Sequence, residues 1–189
     1  MSEIEMVWLD IETTGLDFDN DVILEVGIVL TDRWGAWIDH WSSLVHTPGS
    51  YRAVNRMSSF AHEMHVKSEL LHDYNSIGNF DEIEAQVVED AALDWLVDNE
   101  LDPAKFPACG STVHFDRNFL RSTLPGLDSW FHYRNIDVSS IKETCRLVNP
   151  TLFGKMPPED KDYAHRVMNC LAGSIREYQW YLENFVFVS

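Results

Sequence analysis

Two acidic residues close an otherwise apolar run near the start of the chain, and this pairing limits the fold more than any other feature. Met6 to Ile11 reads as a buried strand, with Asp10 and Glu12 two apart at its end. The strand period of two sends both side chains to the same side of a sheet. Two carboxylates on one face of an apolar strand are costly unless something positive satisfies them, and a divalent cation would do so. Taken alone, the pair equally fits a loop cap or a strand end in solvent, so the remainder of the chain has to decide.

Val22 to Leu30 predicts a second strand, with Glu25 and Gly27 as two exposed or special positions. The segment between the strands, Thr13 to Asp21, is turn-rich. In Ala36 to Val45, Trp37 and Trp41 alternate with polar residues, which predicts a third, antiparallel strand and a meander opening. Arg56 to His72 predicts one helix or two short ones. Asn79 is placed to cap a stronger helix with acidic residues in its first turn and Ile83, Val87, Ala91 and Trp95 on one face. Pro107 to Thr112 and Asn135 to Val138 predict short strands, followed by helices over Phe115 to Leu124 and Ser139 to Val148. A loop rich in Pro, Gly and charge runs from Asn149 to Tyr163. The last helix carries Met168, Leu171, Ile175, Tyr178, Leu182 and Phe185 at steps of three and four, the spacing of a core-packing face.

The chain has 189 residues, 45% of them hydrophobic, which suits a single α/β domain over 1–189. Cys109, Cys145 and Cys170 are widely spaced with no CxxC pair, which points to a reducing cytoplasmic setting. The acidic start lacks the basic flank and apolar core of a signal peptide, and no apolar run approaches the roughly 20 residues that span a bilayer. Net charge is −17, from 14 basic and 31 acidic residues, and no basic stripe exists to neutralise a long duplex. A short substrate, with few phosphates and held through bound cations, remains compatible with that surface.

Asp116 follows a strand candidate and opens a helix, and His165 stands at the start of the last one. Each alone has an ordinary reading, as a helix cap and as a surface or core histidine. Their order after the acid pair resembles the DEDDh (DnaQ-like) 3′-to-5′ exonucleases, and the oligoribonuclease family most of all. The likeness is carried by Trp-Leu-Asp-Ile-Glu-Thr-Thr-Gly-Leu-Asp at 8–17, Phe-Asp-Arg-Asn-Phe-Leu at 115–120, Phe-His-Tyr-Arg-Asn-Ile-Asp-Val-Ser-Ser at 131–140 and His-Arg-Val-Met at 165–168, and by the tail from Ser174 to Phe185. It implies a ribonuclease H-like fold, a mixed five-stranded sheet flanked by helices. It also implies two divalent ions, Mg²⁺ or Mn²⁺, about 3.5 to 4 Å apart, which activate a water and stabilise the leaving 3′ oxygen. In that site Asp10 bridges both ions, Glu12 serves the one nearer the water, Asp116 serves the other, and His165 takes the proton.

The family pattern continues with Asp five residues after the His, where this chain has Cys170, preceded by Asn169. A neutral thiol is a poor Mg²⁺ ligand and suits softer ions. Three readings follow: a slow or Mn²⁺-dependent enzyme, a stand-in acid such as Asp160 or Asp162, or a pseudoenzyme that binds dinucleotides without cutting them. Cys170 also reads as a small buried residue of the last helix.

The resemblance further implies very short RNA, dinucleotides especially, as substrate. Leu16 and Phe60 match positions that wedge the bases, Phe60 standing where the family has Trp. Thr112, Arg134 and Ser139 match a cap on the 5′ phosphate. Tyr133 matches an aromatic supplied by a partner subunit, so a homodimer is implied, with Tyr133 and Arg134 acting across the interface. Core packing is the other reading of Phe60, and a surface pair at a strand edge that of Tyr133 and Arg134. Asp137 reads as the cap of the following helix, with Ser139 as the other candidate. His65 matches a family position near the phosphate or is an exposed residue of a polar helix. A general single-strand DNA or RNA exonuclease is the rival enzyme, disfavoured by the charge and by the 131–140 segment.

Overall fold

The computed structural model describes residues 3–157 and 165–186. Asp160 and Asp162, named above as stand-in ligands, lie outside the described residues. β1 (Met6–Thr13), β2 (Ile23–Thr31) and β3 (Trp37–Leu44) form the antiparallel meander. β4 (Ala108–Gly110) and β5 (Asn135–Asp137) extend the sheet in parallel from the other edge of β1, giving the order β3-β2-β1-β4-β5. The sheet is thus mixed and five-stranded, with β1 at its centre.

Alternation along β1 divides the core between the two faces. Val7, Leu9 and Ile11 join the larger cluster with Leu24, Val26 and Ile28. It is covered by α1 (Ser50–Val54), α3 (Leu70–Asn75), α4 (Ala85–Asp98), α5 (Val113–Thr123) and α6 (Pro125–Trp130), with α2 (Ser59–Lys67) packed against α3. Met6 and Trp8 face the opposite way, into a cluster with Val29, Cys109, Cys145, Leu171 and Ile175. That face is covered by α7 (Val138–Val148), α8 (Pro150–Phe153) and α9 (Val167–Tyr181), the last continuing into a π-helical turn, Leu182–Val186. By the same alternation Asp10 and Glu12 share the α9 face with Met6 and Trp8.

The structure decides or corrects several local expectations. Asn79 caps a short 3₁₀ turn, Phe80–Ile83, by accepting from Asp81 N (3.2 Å), and the helix proper starts only at Ala85. That break resets the phase: Val87 and Ala91 are exposed, while Val88, Ala92 and Leu96 are buried. Both rows are apolar at helical spacing, so periodicity could not choose between them. Glu25 and Gly27 are buried, special because of what lies above them and not because they meet solvent. Within the Asn149–Tyr163 loop, Asn149 caps α8 by accepting from Leu152 N (3.1 Å). Those of Phe60 and His65 are described with the site below. On α9, Leu171 and Ile175 are fully buried and Met168 and Tyr178 pack beside them, as the spacing predicts. Among the described residues no helix is long and apolar enough to cross a membrane.

Candidate active site

Register places β2 residues directly beside the acid pair: Asp10 opposes Gly27 and Glu12 opposes Glu25. Gly27 is where α9 comes down on the sheet. A Cβ there would stand 2.6 Å from Met168 Cε and 2.7 Å from Val167 Cγ2, so only glycine lets the helix start this close to Asp10's strand. Glu25 receives Arg166 Nε at 3.0 and 3.1 Å, Arg166 Nη2 at 2.9 Å and Val167 N at 3.2 Å. Arg166 Nη1 also reaches Asp73 Oδ2 at 2.7 Å, from α3. The segment carrying His165 is thereby pinned over the end of β1.

Glu25 is almost fully buried, so its charge depends on this partner. Replacing Arg166 with Met should destabilise the protein by about 3 kcal/mol, the scale for stranding one charge of a buried pair. Urea unfolding at neutral pH measures this, and a loss under about 0.5 kcal/mol, the surface-substitution scale, would mean that solvent reaches Glu25.

Asp116 lies in the first turn of α5 and is buried. β4 pairs with β1 only at Val7 and Trp8, so the Ile11 N–H lies beyond that paired stretch and donates instead to Asp116 Oδ1 at 3.2 Å. Asp10 Oδ2 is buried with no hydrogen-bond partner among the described residues. Desolvation, then the charges of Asp116, Glu12 and Glu25, hold the Asp10 carboxyl well above the usual range. Burial likewise raises Glu12 to about 7 and Asp116 to about 8. Arg166, whose charge acts on Glu12, is already committed to Glu25 and Asp73. Three desolvated carboxylates with one orphaned oxygen fit a hard divalent cation.

The fourth position does not. Cys170 Sγ, in the first turn of α9, donates to Glu12 Oε1 at 3.5 Å. Burial and the charges of Asp10 and Glu12 push its thiol far above the usual range, so it stays protonated beside them. His165 precedes α9 and is exposed, with a ring nitrogen in the same cluster as Glu12 and Cys170.

Around this centre the remaining candidates fall into two groups. Leu16 is 81% exposed on the Thr14–Asp21 loop, which is closed by Thr14 Oγ1 donating to Asp21 Oδ1 (2.9 Å) and Asp17 N to Asp21 Oδ2 (3.0 Å). Phe60, on α2, is 76% exposed, which overturns its core-packing reading. His65 is not an exposed residue: it is fully buried, with Nε2 donating to Thr13 O at 2.8 Å. A carbonyl only accepts, so Nε2 carries the proton, and burial lowers the imidazole pKa. This bond ties α2, with Phe60, to the strand end that leads into Leu16.

The second group sits at the β4 and β5 ends. Thr112 adopts a left-handed backbone (φ 61°), and Asp137 holds it there. Asp137 Oδ1 accepts from Thr112 N (3.1 Å) and Ser139 N (2.9 Å), and Oδ2 from Val113 N (3.1 Å). Asp137 is therefore the cap of α7, as anticipated, and serves α5 as well. Thr112 Oγ1 and Ser139 Oγ lie 3.2 Å apart. Tyr133 is 75% exposed with the Arg134 guanidinium 5.2 Å from its ring centre. Their segment is held from below by buried Arg117, which donates to Asp128 Oδ1 (2.7 Å), His132 O (2.8 Å) and Asn135 Oδ1 (2.9 Å). Arg117, Arg166 and Asp73 were not among the candidates. A cation one residue after a motif acid or histidine was the available signal.

The exonuclease family matches residues 7–169. The oligoribonuclease of Mycobacterium ulcerans (strain Agy99) is 33% identical over 181 residues, covering 94% of this chain and 79% of that protein. The oligoribonuclease of Mycobacterium leprae (strain TN) is also 33% identical over 181 residues, with the same coverage. Among solved structures, the zinc-bound form of the E. coli exonuclease I complex with single-stranded DNA superposes with a TM-score of 0.64 at 16% identity. The match takes in 95% of this chain and 40% of that one, and it shows a common fold.

Proposed function

The chain belongs to the exonuclease family and, within it, to the oligoribonucleases, and on that footing we propose that it hydrolyses very short RNA from the 3′ end to mononucleotides. The observation that carries this reading is the convergence of Asp10, Glu12 and Asp116 on one sheet end, with Asp10 Oδ2 orphaned among them and His165 at their edge. Two Mg²⁺ or Mn²⁺ ions would, when bound, polarise the attacking water and stabilise the departing 3′ oxygen.

Asp10 would hold both ions, with Glu12 on the water side and Asp116 on the leaving-group side. His165, on an exposed segment anchored through Arg166, accepts the proton of the water. Leu16 and Phe60 would offer exposed apolar faces for stacking bases, which is sequence-tolerant because every base has a π-face. Thr112 and Ser139 hydroxyls would receive the 5′ phosphate. Tyr133 and Arg134, exposed in one chain, would close it from the partner in a homodimer, and residues 1–189 would act as one domain in the cytoplasm. The net charge of −17 favours a substrate of a few nucleotides over a long polymer.

The test is hydrolysis of a 5′-labelled RNA dinucleotide and of a seven-residue RNA, with Mg²⁺ and with Mn²⁺, beside His165→Ala. The expected result is cleavage that prefers the dinucleotide and is lost in the variant. Tyr133→Ala should weaken dinucleotide binding by about tenfold or more, the scale of one stacked base, without lowering the melting temperature. The thiol beside Glu12 favours one second reading, a dinucleotide-binding pseudoenzyme. Binding without cleavage under either metal would decide for it.

A further inference from the structure

Cys170 removes an oxygen ligand from the acid cluster, and it also creates a different donor set. Glu12, His165 and Cys170 each present a ligand atom, and the three lie within 4.8 Å of one another. The Sγ to Oε1 distance of 3.5 Å equals the ligand spacing of a tetrahedral ion with bonds of about 2.0 to 2.3 Å. One thiol, one imidazole and one carboxylate form a set that borderline-soft Zn²⁺ takes and Mg²⁺ does not. The donors are also held in place. Glu12 is fixed by the β1–β2 register, Cys170 by α9, and the His165 segment by the Arg166 clasp on Glu25 and Asp73. The orphaned oxygen of Asp10, two residues along β1, belongs to a carboxylate close enough to act electrostatically on Cys170, and it lacks a cation.

We infer that Glu12, His165 and Cys170 form a zinc-selective site, and that Zn²⁺ bound there switches the catalytic centre off. The switch part rests on the nuclease reading above; the binding part does not. On binding, the S–H bond breaks, a Zn–S bond forms and the proton passes to solvent, with no change of oxidation state. The imidazole lone pair that would accept the water's proton is then engaged with zinc. Cys109 and Cys145 are buried within the apolar core, so a sulfur signal from added metal reports Cys170.

The full chain, stripped of metal, is titrated with Zn²⁺ against a chromophoric chelator and separately with Co²⁺, whose near-ultraviolet thiolate charge-transfer band reports sulfur ligation. The band should be present in the wild type and absent in Cys170→Ser and Cys170→Ala. Zn²⁺ affinity should fall by about tenfold or more in each variant and in His165→Ala. Thermal unfolding of each variant confirms that it is folded, and two cysteine replacements guard against one misfolding. No sulfur band in the wild type, or zinc affinity unchanged by both cysteine variants, overturns the site. Zinc should also inhibit Mn²⁺-supported hydrolysis at concentrations about tenfold lower in the wild type than in Cys170→Ser, in line with the affinity difference. Equal inhibition of both overturns the switch. A wild type that ligates zinc through sulfur yet never cleaves RNA leaves the site standing and removes the nuclease reading instead.

Discussion

Replacing Cys170 with Asp should raise Mg²⁺-supported hydrolysis of an RNA dinucleotide by about 10- to 100-fold, the range seen when support for a metal site is lost or restored. The thiol now donates to Glu12 at 3.5 Å and, raised by burial and its acidic neighbours, remains neutral. It thus uses one Glu12 oxygen without offering Mg²⁺ a hard ligand in return. A carboxylate at the same turn of α9 adds charge and oxygen together. The same substitution has a cost that makes it informative. A fourth acid beside Asp10, Glu12 and Asp116 should lower the melting temperature of the metal-free protein, and Mn²⁺ should restore more of it than in the wild type, because ligand that binds only the folded state stabilises by mass action. A variant with no gain in rate and no gain in metal-induced stability would mean that the remaining ligands do not converge on a cation.

The second large effect is electrostatic. In the metal-free protein Glu12 is raised from 4.5 to about 7, Asp116 from 3.8 to about 8, and Asp10 well above its ordinary value. The folded chain therefore keeps protons that the unfolded chain releases near pH 4. Where the folded state binds more protons, stability falls as pH rises. The window runs from the ordinary carboxylate values up to the raised ones, so stability should decline between about pH 5 and 8, with Glu12 alone worth on the order of 3 kcal/mol. Mn²⁺ should flatten that slope by replacing the protons. Asp10→Asn removes a carboxyl that burial and three neighbouring acids hold well above its ordinary value. It should raise the pH 8 melting temperature of the metal-free protein while cutting hydrolysis by at least about a thousandfold, the upper scale for losing one group of a preorganised charged site. Melting curves across pH, with and without Mn²⁺, test both halves. A wild type that gains stability from pH 5 to 8 without metal would show that the carboxylates do not share one desolvated space.

Much of this centre was legible one residue at a time. Asp10 and Glu12 at a spacing of two on an apolar strand can only share a face, and Asp116 and His165 at helix starts complete the order on which the resemblance rested. Cys170 was visible as a departure from that order. The meander, the two short strands and the core stripe of α9 were legible and are present in the fold, while the parallel pairing of β4 and β5 came only with the structure. The face of α4 was not legible, because two adjacent apolar rows competed and a 3₁₀ turn reset the phase.

What remained hidden depends on residues distant in the chain. Glu25 is 141 residues from Arg166, and nothing local to either announces an ion pair that anchors the His165 segment. Gly27 matters only because Val167 and Met168 descend on it, and His65 became buried only once α2 was laid across the end of β1. Local sequence determined which side chains are acidic, apolar or turn-forming and which of them share a strand or helix face, since those depend on backbone period and side-chain chemistry alone. Register and helix docking decided which carboxylate received the guanidinium, which lost its water and was left needing a cation, and which thiol came to rest against Glu12. Desolvation and pairing energies exist only once the far parts of the chain have met.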